Sequence, residues 1–96
     1  LSDRELQQED FDAVFRPRQS DILGCIDDAR GDAQLEGQVA VAFRVQRTGK
    51  VSNVRVKTPA YLIDHGFLGC VRKVVQSLSF PASNKSQVVT YPFSLR

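Results

Sequence analysis

Three side chains in this 96-residue chain carry a thiol or an imidazole: Cys25, Cys70 and His65. A thiol beside an imidazole is the minimal nucleophile–base pair, so Cys70 with His65 is the one pairing to weigh for covalent catalysis. The two are five residues apart, which puts them on roughly different faces of a helix, and Cys70 falls on an apolar stripe. His65 reads instead as a surface or helix-start residue. One His and two Cys fall short of the four ligands of a structural zinc, and there is no CxxC. No GxSxG and no glycine-rich phosphate loop occur. The carboxylates crowd acidic segments whose solvated faces account for them. The expectation is no catalytic residue, no metal site and no cofactor: not an enzyme.

The remaining chemistry lies between the two cysteines. Residues 22–30 read ILGCIDDAR and residues 67–75 read FLGCVRKVV. Both carry an apolar-Leu-Gly-Cys-apolar core; one continues acidic, the other basic. Gly24 and Gly69 each cost roughly 1 kcal/mol of helix propensity. A return for that cost is close approach of two helices, with Cys25 and Cys70 brought within bridging distance. Asp27 and Asp28 then face Arg72 and Lys73. On the chain-entropy account such a bridge contributes about 4 kcal/mol. The alternative is two buried free thiols, since cysteine is often buried for its apolar character. A disulfide would place the chain in an oxidising compartment such as the periplasm.

The elements that must position these residues follow from periodicity. Leu6, Phe11, Val14 and Phe15 approach helical spacing, and Pro17 is expected to end or kink that element. Ile22, Cys25, Ile26 and Ala29 form a second stripe at i, i+3, i+4, i+7, stopped at Gly31. Residues 38–47 alternate, with Val39, Val41, Phe43 and Val45 on one side. RTGK makes a tight turn with Gly49 free to take positive φ. In VSNVRVK the alternation slips, and a bulge near Ser52–Asn53 returns Val51, Val54 and Val56 to one face. A helix over 61–78 follows, with Ile63, Phe67, Cys70, Val71, Val74 and Leu78 at helical spacing. The last strand, 87–95, has Val89, Tyr91, Phe93 and Leu95 on one side.

A right-handed crossover places the third strand beside the first, giving an α+β fold: a three-stranded antiparallel-type sheet, order 2-1-3, with two main helices on one face. The third strand is then an edge, and Pro92 is tolerated there. If its nitrogen faces outward, an added strand loses one hydrogen bond and pairing concentrates on Gln87, Val88, Val89, Thr90 and Tyr91. If it faces inward, the strand's own pairing is interrupted. The open face presents Ala40, Ala42, Arg44 and Gln46 beside Arg55, Lys57, Thr90 and Ser94.

The chain is net +2, with two unlike parts. Residues 1–36 hold ten carboxylates against four arginines; residues 37–96 hold nine Lys/Arg and only Asp64. An acidic segment folding onto a basic one explains this, and so does a nucleic-acid partner. The latter would use Arg44, Arg55 and Lys57, although Phe43, Tyr91 and Phe93, the stacking candidates, belong to the buried side. TPAYLIDHG is the only segment to weigh as an inhibitory loop. No apolar run approaches the roughly 20 residues of a membrane span. The chain opens on Leu1 and contains no Met, so it is expected to be a fragment or processed product, with any targeting segment upstream.

The ordered pattern GQVAVAFRVQRTGKVSNVRVKTPA, helix, FP, VVTYPFSL resembles the TonB C-terminal domain family. FDAVFRPRQSDILGC, the second GCV and YPF resemble its gliding-motility branch of AgmX/PglI type, which carries a cysteine in each helix, at the positions of Cys25 and Cys70. The resemblance covers about residues 6–96 and leaves residues 1–5 as a leader, for which disorder is the expectation. It implies a periplasmic domain at the C-terminal end of an inner-membrane-anchored protein, with a protein partner at the outer membrane or in the periplasm. Its function would be energy transduction across the cell envelope, for gliding motility or transport, through strand addition at the last strand. It implies no small-molecule substrate, and membrane contact only through the upstream anchor.

Overall fold

The computed structural model describes residues 4–95. The first helix, α1, spans Gln8–Arg30 and continues through Pro17. Pro17 was expected to end or kink this element, with a second helix after it; the ending is corrected, since one helix continues past the proline. Phe11 and Phe15 before the proline, and Ile22, Cys25, Ile26 and Ala29 after it, are all buried in one core. Burial of both halves outweighs the roughly 3 kcal/mol that an interior proline costs. Pro17 and Ala13, whose carbonyl loses its intrahelical donor, are both exposed, so water can satisfy that oxygen. At the N-terminus the Gln7 amide donates to the Asp10 carboxylate at 2.7 Å, and the Arg4 guanidinium lies 2.9 Å from it. At the C-terminus Gly31, at φ 58°, closes the helix by donating to the Asp27 carbonyl.

Strands β1 (Gln38–Val45) and β2 (Val51–Lys57) form an antiparallel hairpin. Its turn is tied by the Gln46 amide to the Lys50 carbonyl and by the Gly49 amide to the Gln46 carbonyl, each at 2.8 Å. The register shifts between Ala42 and Arg44, and Asn53 sits at φ 52°, so the expected bulge is present. Val51, Val54 and Val56 accordingly all pack against the core.

The helix expected over 61–78 is two: α2 (Ala60–Ile63) and α3 (Phe67–Gln76). Gly66 separates them in the left-handed conformation, φ 85°, which a glycine adopts without steric penalty. The break turns Ile63 out to solvent at 44% exposure, although spacing placed it on the buried stripe. Behind the break Phe67, Val71 and Val75 are fully buried, while Cys70 and Val74 are partly so. TPAYLIDHG is thus largely α2 and its exit turn rather than a loop: Leu62 is fully buried, while Tyr61, Ile63 and residues 64–66 are exposed.

Strand β3 (Gln87–Ser94) pairs antiparallel with β1 along its whole length, giving order β2-β1-β3. Both main helices, α1 and α3, cover one face. Phe15 stacks on Tyr91, with ring centroids 3.8 Å apart, and the two helices meet each other through the cysteines. The loop before β3 is latched to the hairpin turn: the Phe80 amide donates to the Gly49 carbonyl and the Ser83 amide to the Arg47 carbonyl. Residues 4–6 are tied to the same loop. The Asn84 amide donates to the Arg4 carbonyl, Lys85 pairs with Glu5 at 3.0 Å, and Leu6 is buried. Of the expected leader, residues 1–3 lie outside the described residues.

Candidate functional site

The bonding direction of β3 follows from one contact beyond its end. The Leu95 amide donates to the Gly37 carbonyl at 3.1 Å, continuing the β1–β3 register. An antiparallel ladder repeats every two residues. Phe93, Tyr91, Val89 and Gln87 therefore bond to β1, while Pro92, Thr90 and Val88 turn their main-chain groups outward. Pro92 sits opposite Ala40 at a position that needs no donor toward β1. Its missing N–H is thus a gap in the outer edge, not in the sheet. The outward N–H groups available between Gln87 and Tyr91 are those of Val88 and Thr90.

The side chains divide the same way. Val89 is buried, Tyr91 and Gln87 are half-buried, and Val88 and Thr90 are exposed, Val88 to 58%. Tyr91 is fixed from above: its hydroxyl donates to Asp12 at 3.0 Å, and its ring lies flat on Phe15. Burial, and then the negative Asp12 carboxylate it bonds, push the Tyr91 hydroxyl well above its ordinary range. Asp12 is held below the usual carboxylate range by hydrogen bonds from Gln8 and from Tyr91. The Gln87 amide nitrogen donates to the Leu6 carbonyl at 3.3 Å, and its oxygen is buried without a partner. The Tyr91–Asp12 contact spans 79 residues, and no local pattern in the sequence announces it.

β2 is the sheet's other edge. Its bulge and the left-handed Asn53 interrupt its pairing row, which blunts an edge against further pairing. β3 has eight consecutive paired residues and no bulge, so it is the regular template of the two.

On the face away from the helices, Ala40 and Ala42 floor the central strand. Lys57 and Arg55 stand opposite them on β2, and Pro92 and Thr90 on β3. Arg44 stands opposite Val88, its guanidinium 3.2 Å from the Ser86 hydroxyl. A depression of about 250 Å³ is lined by Ala42, Arg44, Asn53, Arg55 and Val88 among others. Phe43, Tyr91 and Phe93 sit on the covered side, so among the described residues the three strands present no aromatic ring on the open face.

Cys25 and Cys70 form a disulfide, with Cα atoms 5.7 Å apart. Cys70 is therefore bonded to Cys25 rather than present as a free thiol beside His65. His65 lies at the α2–α3 break, stacked on Tyr61 at 4.0 Å, with Nδ1 2.7 Å from the Tyr61 carbonyl. Two expectations about the bridge are corrected. A Cβ added at Gly24 or Gly69 would meet nothing within 4 Å, so the helices do not approach through their glycines. The observed ion pairs among the described residues join Arg4–Asp10, Arg16–Asp12, Arg18–Asp21 and Lys85–Glu5, and none links Asp27 or Asp28 to Arg72 or Lys73. All four of those side chains are exposed, where water solvates them at least as well as an ion pair does. Instead Arg18 reaches α3's end, donating to the Ser77 hydroxyl at 2.9 Å.

Among the described residues no group of three or more His, Cys, Asp or Glu side chains converges as a metal site, and no helix is long and apolar enough to cross a membrane. The disulfide is compatible with a location outside the cytoplasm. No family model, curated protein or solved structure matches this chain.

Proposed function

We propose that this chain is a periplasmic, non-enzymatic protein-binding domain of TonB-like type. In this reading it couples an inner-membrane-anchored machine to an outer-membrane or periplasmic protein, for motility or for transport. The reading rests on the sequence resemblance and on one structural observation: β3 is a regular, bulge-free edge strand with outward main-chain groups at Val88 and Thr90. An extended segment of a partner adds to that edge by main-chain hydrogen bonding. Pro92 ends the pairing row and so limits its length, which fixes the register of the added strand around Gln87–Tyr91. The Tyr91–Asp12 and Phe15–Tyr91 contacts hold the edge rigid from the helical side, so little ordering is lost on binding. The Cys25–Cys70 bridge supports the same reading, since a domain that transmits a pull gains from a cross-linked helical layer.

The test uses Thr90→Pro. It deletes an outward N–H while leaving every β1-facing donor in place. The wild-type domain, incubated with outer-membrane extract, is expected to retain a protein that Thr90→Pro fails to retain at equal thermal stability. Equal recovery by both, or recovery of nucleic acid alone, overturns the proposal.

A further inference from the structure

The open face of the sheet has properties that the fold does not require. None of the three strands contains an Asp or Glu, yet Arg44, Arg55 and Lys57 all stand on this one face. No carboxylate among the described residues pairs with any of the three, and the observed ion pairs all lie on the helical side and its adjoining loop. Like charges gathered on one side of a small sheet repel, so their placement works against folding unless something else uses it. The floor between them is built from the methyl groups of Ala40 and Ala42. Among the described residues Val88 is the most exposed of the large apolar side chains, and it forms the opposite rim.

We propose that this trough along β1 is a docking surface for an acidic peptide segment. The occupant is a partner chain in which Asp or Glu alternates with small apolar residues. Its carboxylates meet Arg55 and Lys57 on one wall and Arg44 at the end. Its small side chains rest on Ala40 and Ala42 against Val88. Charge complementarity selects this occupant over a second copy placed face to face, which would set each cluster of cations against its own kind. The lack of any ring on this face selects it over single-stranded nucleic acid, whose bases need a stacking platform. The trough shares Val88 with the edge of β3 but uses its side chain, whereas strand addition uses outward main-chain groups.

The test is titration of the isotope-labelled domain with a disordered twelve-residue peptide of Glu, Asp, Ala and Pro, followed by amide shifts. The expected result is shifts concentrated at Ala40, Ala42 and Arg55. The charge-reversed double variant Arg55→Glu/Lys57→Glu is expected to bind about tenfold more weakly, and a matched Gln/Asn peptide not at all. A second variant, Ala42→Leu, keeps every charge but fills the floor and is expected to weaken binding too. Shifts confined to other surfaces, equal binding by the charge-reversed variant, or tighter binding of oligothymidylate of the same length each overturns the proposal. So does a dimer that the charge reversal dissolves.

Discussion

The sulfur atoms of Cys25 and Cys70 are bonded, joining α1 to α3 across a sequence separation of 45 residues. The loop so closed contains β1, β2 and α2, while β3 lies outside it. Cross-linking therefore restrains the hairpin and leaves the candidate edge strand free of the covalent ring.

Removing the bridge is expected to destabilise the domain strongly. The chain-entropy relation for a loop of this size gives about 4 kcal/mol, equivalent to a fall in melting temperature of roughly 20 °C for a domain this small. Thermal melts of the Cys25→Ala/Cys70→Ala variant against the oxidised protein check this; a fall of only a degree or two contradicts it.

Under mechanical load the same ring sets how much chain can be paid out. Pulling the oxidised domain from its two ends cannot extend the segment between the cysteines. Reduction is expected to lengthen the fully unfolded contour by about 150 Å. Single-molecule pulling with and without reductant measures the increment, and an unchanged contour length contradicts the pairing.

Three glycines separate into two opposite outcomes. A Cβ at Gly49, where φ is 93°, would collide with the Phe80 carbonyl oxygen. Gly49→Ala is expected to cost at least about 2 kcal/mol, because both the hairpin turn and the loop preceding β3 must shift. Gly24→Ala and Gly69→Ala meet nothing within 4 Å, so each is expected to stabilise by about 0.4–1 kcal/mol through reduced unfolded-state entropy and better helix propensity. Urea denaturation of the three variants tests the order.

Two groups set the pH limits of this helix–sheet contact. The Tyr91 hydroxyl is raised above its ordinary value by burial and then by Asp12. Its contribution is therefore fully present below about pH 10 and is lost as pH rises above that, because the unfolded tyrosine ionises first. Asp12 is depressed by its hydrogen bonds from Gln8 and Tyr91, so its contribution is present above about pH 4 and is lost as pH falls below it. Tyr91→Phe is expected to flatten the alkaline fall and weaken the acid one, read from melting temperature across pH. An unchanged alkaline limb in Tyr91→Phe contradicts the assignment.

Period-two alternation in residues 38–45 located β1, and the slip between Val51 and Val54 located the bulge, because a strand's side-chain period leaves a one-residue insertion visible. The 2-1-3 order and the cysteine pairing followed from crossover handedness and from two matching apolar stripes. Local signals misled where two local rules pull apart from long-range burial. Pro17 reads as a helix end, yet both flanks bury side chains in one core, and that burial keeps α1 continuous. Gly66 reads as an ordinary helical glycine, yet at φ 85° it ends one helix and starts another.

Residue order alone determined the three strands, the charge asymmetry and the stripes that bring two sulfurs together, because each is a periodicity or a count written along the chain. Tertiary structure alone decided which way the Pro92 nitrogen faces, that a side chain at Gly24 or Gly69 would meet open space, and that Tyr91 leans on Asp12. Those depend on ladder phase and on contacts between distant segments, which arise only when the sheet and its helices have closed on one another.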